Sequence, residues 1–180
     1  GATGSNFLGA DAGSLATNAY YSNFLGTSAG SGATGANQSN FLGYYARYGA
    51  TGADGSNFLG SATGYNATGA RYSNFIGSSA GLDATNAYYS NFIGVESGSA
   101  ASAANDSTFI GRNSGYHSTN AAYSVFIGSI AGNNSPNASN SIFIGQNAGF
   151  LDTVNNTTNA NDFSILIGKD TKTGGFKNSI

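Results

Sequence analysis

The chain has 180 residues, enough for one domain with a substantial core, yet only 14 are charged. The net charge of −2 and the lack of a basic stripe argue against nucleic acid. No apolar run approaches the roughly 18 residues of a membrane span, and the absence of cysteine excludes a disulfide framework. With 12 Phe and 11 Tyr the chain is no disordered polar tract.

In chain order the first element is "SNFLG", starting at Ser5. It recurs from Ser22, Ser39 and Ser56, becomes "SNFIG" from Ser73 and Ser90, and drifts to "STFIG" (Ser107), "SVFIG" (Ser124) and "SIFIG" (Ser141), always 17 residues on. With each Ser as position zero, +2 is Phe throughout: Phe7, Phe24, Phe41, Phe58, Phe75, Phe92, Phe109, Phe126 and Phe143. Position +3 is Leu8, Leu25, Leu42 and Leu59, then Ile76, Ile93, Ile110, Ile127 and Ile144. Position +4 is always Gly, and +8 is Gly in eight of these nine copies, with Arg47 the exception. Around +12 comes a small cluster such as "ATNA" or "ATGA". A last copy, "SILIG" from Ser164, follows after 23 residues, which predicts a loop insertion over about 150–163. Asn178-Ser179-Ile180 reads as the start of a further copy, so an excerpt of a longer fibre is expected.

A fixed period of 17 with glycines at fixed phases predicts one all-β domain over 1–180, a parallel β-solenoid (β-roll) of about ten 17-residue coils. Two near-invariant glycines per period leave no room for a helical pair, and collagen would need Gly at every third position. Each "SNFLG" forms a strand, and its glycines turn the corners with φ > 0. Stacking coils about 4.8 Å apart places Phe on Phe and Leu or Ile on its equivalent, so the repetition builds length rather than chemistry.

Because side chains alternate along a strand, +2 and +3 point to opposite faces, and +1 shares the face of +3. The pattern leaves open which ladder lines the coil, with Phe favoured inside. An inward Asn at +1 would need a hydrogen-bonded Asn ladder; an outward one would be polar surface. Position +1 turns apolar late in the chain, as Val125, Ile142 and Ile165. Either way one apolar ladder is left for something else to cover. Three copies about an axis would do so; a dimer or another sheet would also serve.

The copies "SVFIG", "SIFIG" and "SILIG", and the ending "SILIGKDTKTGGFKNSI", resemble the head repeats of trimeric autotransporter adhesins (YadA-like β-rolls). Similar repeats recur in bacteriophage tail fibres. The resemblance covers nearly the whole chain. It departs in its longer period and in Phe where that family has a small residue. It implies a left-handed roll, a homotrimer, an extracellular setting on a virion tail fibre or bacterial surface, and work as a shaft or head that presents a tip and touches cell-surface glycans.

The sequence gives little support to an enzyme or a cofactor, and none is expected. The carboxylates mostly fall at different phases of the repeat, unlike calcium-binding rolls; Asp11 and Glu96 share a phase but lie five turns apart. One histidine, His117, without cysteine makes a zinc site implausible, and no metal is expected. Lys169, Lys172 and Lys177 read as a solvated tail. Two surface features are candidate contacts. Tyr44, Tyr45, Tyr48 and Tyr65 sit near corners, where exposed rings would stack on sugars or pack between turns. Thr17, Thr34, Thr51, Thr68 and Thr85 form a column, interrupted later by Pro136, that suits the alternative of an ice-binding, flat-faced solenoid. Asn66 and Asn105 lie in Asn-x-Ser/Thr sites that matter only in a glycosylating host.

Overall fold

The structure, a computed structural model, describes residues 3–152 and 163–174. It is a parallel β-solenoid without a helix among these residues, and its coils repeat every 17 residues. Ten three-residue strands form one sheet in chain order: β1 Asn6–Leu8, β2 Asn23–Leu25, β3 Asn40–Leu42, β4 Asn57–Leu59, β5 Asn74–Ile76, β6 Asn91–Ile93, β7 Thr108–Ile110, β8 Val125–Ile127, β9 Ile142–Ile144 and β10 Ile165–Ile167. Equivalent positions pair throughout, Phe24 with Phe41 and Leu25 with Leu42 for example. Ile165 pairs Ile142, so the register survives the longer final interval. Of the expected loop over 150–163, residues 153–162 lie outside the described residues, as do Lys177 and the final Asn178-Ser179-Ile180.

The opposite side of each coil is a single-residue bridge. Thr17, Thr34, Thr51, Thr68, Thr85, Ser102, Thr119 and Pro136 pair in series. Proline keeps its place in the row, although it brings neither hydroxyl nor N–H.

Phe lies inside. From Phe24 to Phe143 every +2 ring is fully buried. Rows of buried alanine face it, such as Ala29, Ala33 and Ala36 in the second coil. The glycine at +8 is the seat of the ring: a Cβ on Gly81 would lie 2.3 Å from the Phe75 ring. Glycine at +4 ends the strand for a different reason. Gly26 has φ +132, and a Cβ there would meet the Gly43 carbonyl oxygen at 2.4 Å.

Positive φ is not confined to these glycines. Asp11, Leu15, Asn18 and Tyr21, at +6, +10, +13 and +16, have φ between 54° and 57°, and later coils repeat the pattern. Non-Gly residues accept αL reluctantly, Asn and Asp least so. The gain is a reversal of hydrogen-bonding direction along the axis. Asn23, Gly30 and Thr34 donate to Ser39, Ala46 and Ala50 of the next coil at 2.8–3.2 Å. Ser28, Gly32 and Gln38 donate back to Ala10, Ser14 and Tyr20 of the previous coil at 2.7–2.8 Å. Each coil is thereby bonded in both directions, which sequence reasoning did not foresee when it assigned the corners to glycine alone.

A serine ladder locks the coils further. Ser73 is buried; its Oγ–H donates to the Ala87 carbonyl at 2.6 Å, and its Oγ accepts the Ser90 N–H at 3.0 Å. The arrangement recurs from Ser22 to Ser124. This is why Ser opens the motif: a small hydroxyl both donates and accepts at a buried position.

Candidate functional site: the outer faces of the coil

The outer face of the strand sheet carries +1 and +3, as strand alternation requires. Asn at +1 is outward and yet forms a hydrogen-bonded ladder. Each Nδ2–H donates to the next Oδ1, from Asn6 through Asn23, Asn40, Asn57 and Asn74 to Asn91, at 2.7–2.9 Å. The two alternatives left by the sequence, an inward ladder or plain polar surface, are thus combined. Beside it runs the Leu/Ile ladder, between half-buried and exposed; Ile93 and Ile127 are each 36% accessible, and at the last coil Ile167 reaches 68%. Between the two ladders a trough of about 890 Å³ extends from Asn6 and Leu8 to Asn74 and Ile76. In β8 and β9, Val125 and Ile142 replace Asn, so this face becomes wholly apolar there.

On the opposite side Thr17, Thr34, Thr51 and Thr68 are exposed in one row, with Thr85 half-buried. The threonine column is therefore real as geometry.

The four candidate tyrosines converge at one corner. Tyr44 and Tyr45 ring centroids lie 4.3 Å apart, Tyr45 and Tyr48 5.1 Å, and Tyr48 and Tyr65 5.4 Å with nearly parallel planes. The Tyr44 hydroxyl is held above its ordinary pKa, first by its hydrogen bond with Tyr45. A second pair, Tyr72 and Tyr89, stacks 5.3 Å apart at the +16 corner. Sequence placed the tyrosines near corners but could not say which rings touch.

Arg47 was legible only as a missing glycine. Its side chain enters the coil and is fully buried, with its guanidinium carbon 5.3 Å from the Phe41 ring centroid and 5.4 Å from that of Phe58. None of its three nitrogens has a hydrogen-bond partner among the described residues. Burial lowers its pKa to about 9, against a smaller opposing effect of Asp54. The aromatic ladder records the intrusion: Phe41/Phe58 and Phe58/Phe75 meet at 62° and 85°, whereas the rings from Phe75 to Phe143 stack within 8°.

Elsewhere polar groups serve the corners. Glu96 accepts from Asn113 at 2.9 Å and Asp54 from Asn37 at 3.2 Å, while Arg71 forms an ion pair with Asp54 at 3.5 Å. Asp11 is exposed far from Glu96 in the stack. His117 is exposed, 4.3 Å from the Tyr116 ring. Lys172 sits over Phe150, and Lys169 lies 4.0 Å from Asp170. Among the described residues no three His, Cys, Asp or Glu side chains gather as metal ligands, and no helix is long and apolar enough to cross a membrane. No protein-family model and no curated protein matches the chain.

Proposed function

We propose that the chain is a structural segment, a stiff shaft or head section of a fibrous surface protein, built as a homotrimer whose outer Leu/Ile face is closed by its neighbours. The setting is extracellular, on a bacteriophage tail fibre or a bacterial surface, and the segment holds a tip away from its anchor. The resemblance of the strand motif supports three copies and this setting.

The observation that carries the reading is the outer face of the sheet. Its +1 and +3 positions hold no charged residue in any of the ten strands, and its apolar ladder is uninterrupted. Rungs about 4.8 Å apart and about 10 Å wide give a strip of about 500 Å² in projection. Patches of that size serve as interaction sites on soluble proteins. A second copy matches the axial spacing of the ladder rung for rung, and a rotation that closes leaves no copy with an uncovered face. The test is mass in solution by light scattering. A trimer gives about 54 kDa, three times the chain's 18.0 kDa; a monomer at working concentration overturns the reading.

The exposed threonine row favours a second reading, an ice-binding monomer with this row as its flat face. Ice grown in the protein's presence would then be faceted, and Thr51→Val with Thr68→Val would abolish the faceting.

A further inference from the structure

We propose that the corner formed by Tyr44, Tyr45, Tyr48 and Tyr65 is a binding site for an uncharged saccharide, held by stacking of a sugar ring on Tyr44. This goes beyond the structural reading and does not depend on the number of copies.

Three observations carry it. The first is shape. Tyr44 projects from +5, where the coils on either side have only Thr27 and Ser61; the backbone bonds Tyr45 N–H to Thr27 O (3.0 Å) and Ala62 N–H to Tyr44 O (2.8 Å) fix them as its neighbours. Short residues on both sides leave Tyr44 56% exposed, while the other three rings are half-buried; Tyr45 braces Tyr44 and is itself packed against Tyr48 and Tyr65. The corner is therefore a rigid aromatic step above a ledge of small residues. Its rings contact one another at 4.3–6.4 Å, so little ordering is left for a ligand to impose.

The second is polarity. Each pyranose ring has an apolar C–H face and a rim of hydroxyls. The step offers an aromatic surface for the face. Around it stand neutral donors and acceptors for the rim: the tyrosine hydroxyls, Ser31 on the ledge, and the exposed amide of Asn66, whose Oδ1 lies 3.0 Å from where a Gly49 Cβ would be. A flat aromatic with a polar edge is how ligand surfaces combine fit with orientation.

The third is charge. From +5 to +10 of coils two to four, the sole ionisable group other than tyrosine is Arg47, and it is buried beneath the corner among the phenylalanines. No accessible cation is there to hold an acidic sugar, so the class of ligand is neutral.

Saturation-transfer NMR on the whole protein tests this with two probes, maltotriose and chitotriose. The expected result is transfer to the ring C–H protons of at least one of them, with a dissociation constant in the millimolar range. Tyr44→Ala should reduce that transfer at least fivefold, Tyr44→Phe should retain it, and Tyr72→Ala at the other corner should leave it unchanged. No transfer to either trisaccharide overturns the proposal. So does a Tyr44→Ala protein that binds like the parent, or a Tyr44→Phe protein that loses as much as Tyr44→Ala. Circular dichroism of each variant separates loss of binding from loss of fold.

Discussion

Arg47→Gly should make the protein more stable, because it restores the residue that the eight other Phe-bearing coils carry at +8. Burial lowers the Arg47 pKa well below the ordinary guanidinium value, to about 9. At about 1.36 kcal/mol per unit, the charged guanidinium is disfavoured inside the coil by about 5 kcal/mol. Two effects oppose its removal. The cation lies over two phenylalanine rings, worth about 2 kcal/mol together, and its three methylenes bury apolar surface worth about 2 kcal/mol. Relief of a non-Gly residue at φ 53° returns about 1 kcal/mol. The net gain is about 2 kcal/mol, or a rise in melting temperature of about 4–8 °C for a chain of this size. The pH dependence has a definite sign. The folded pKa is below the unfolded one, so proton binding favours unfolding. The advantage of Arg47→Gly is therefore complete below about pH 9 and shrinks as pH rises above it towards the ordinary guanidinium value. Comparing variant with parent at each pH cancels the contributions that the two proteins share. Scanning calorimetry of the parent, Arg47→Gly and Arg47→Met checks this; Met keeps most of the apolar volume without the charge and should also raise the melting temperature. If both variants melt below the parent, the guanidinium is not an unpaired charge in the core and the reasoning fails.

Other substitutions probe the ladders. Phe92→Ala removes a buried ring stacked 4.6 Å from Phe75 and 4.8 Å from Phe109, and should cost about 3–5 kcal/mol in chemical denaturation. A loss under 1 kcal/mol would mean that the ring is not in the core. Gly94→Ala would place a Cβ 2.6 Å from the Gly111 carbonyl oxygen at φ +132, so the coils must part there. Its melting temperature should fall by more than 5 °C, and an unchanged value would contradict the corner geometry. Ser73→Ala leaves the buried Ala87 carbonyl and Ser90 N–H without their hydroxyl partner, at a cost of about 2–4 kcal/mol, whereas Ser78→Ala at an exposed corner should be neutral.

The sheet was legible because period and register are one constraint. Identical residues 17 apart can stack only if every coil takes the same path, and the pairing of Phe24 with Phe41 follows. That Phe faces inward was a weaker inference from strand alternation alone. The deciding signal was present: small residues at +7, +8, +11 and +14 leave space on that side for a large ring, as Ala29, Gly30, Ala33 and Ala36 do beside Phe24. The αL corners at +6, +10, +13 and +16 were hidden because Asp11, Leu15, Asn18 and Tyr21 share no side-chain chemistry. What they share is the need to reverse an N–H, which is a property of the stack. The tyrosine corner was half legible: phase placed Tyr48 and Tyr65 one coil apart, but the sideways contact of Tyr45 with both required coordinates. Arg47 was read as an exception to a glycine pattern, and only the path of the coil shows that its side chain lies inside, whereas Lys172 at +8 of the last coil is exposed.

The central claim is that the outer Leu/Ile face joins copies of the chain. Sedimentation equilibrium of the parent and of an Ile127→Lys, Ile144→Lys double variant tests it most directly. Both residues point away from the core at 36% and 37% accessibility, so the variant should keep its β-sheet circular dichroism. The account predicts a mass near 54 kDa for the parent and near 18.0 kDa for the variant. A monomeric parent, or a variant that still assembles through charged residues on that face, would contradict it.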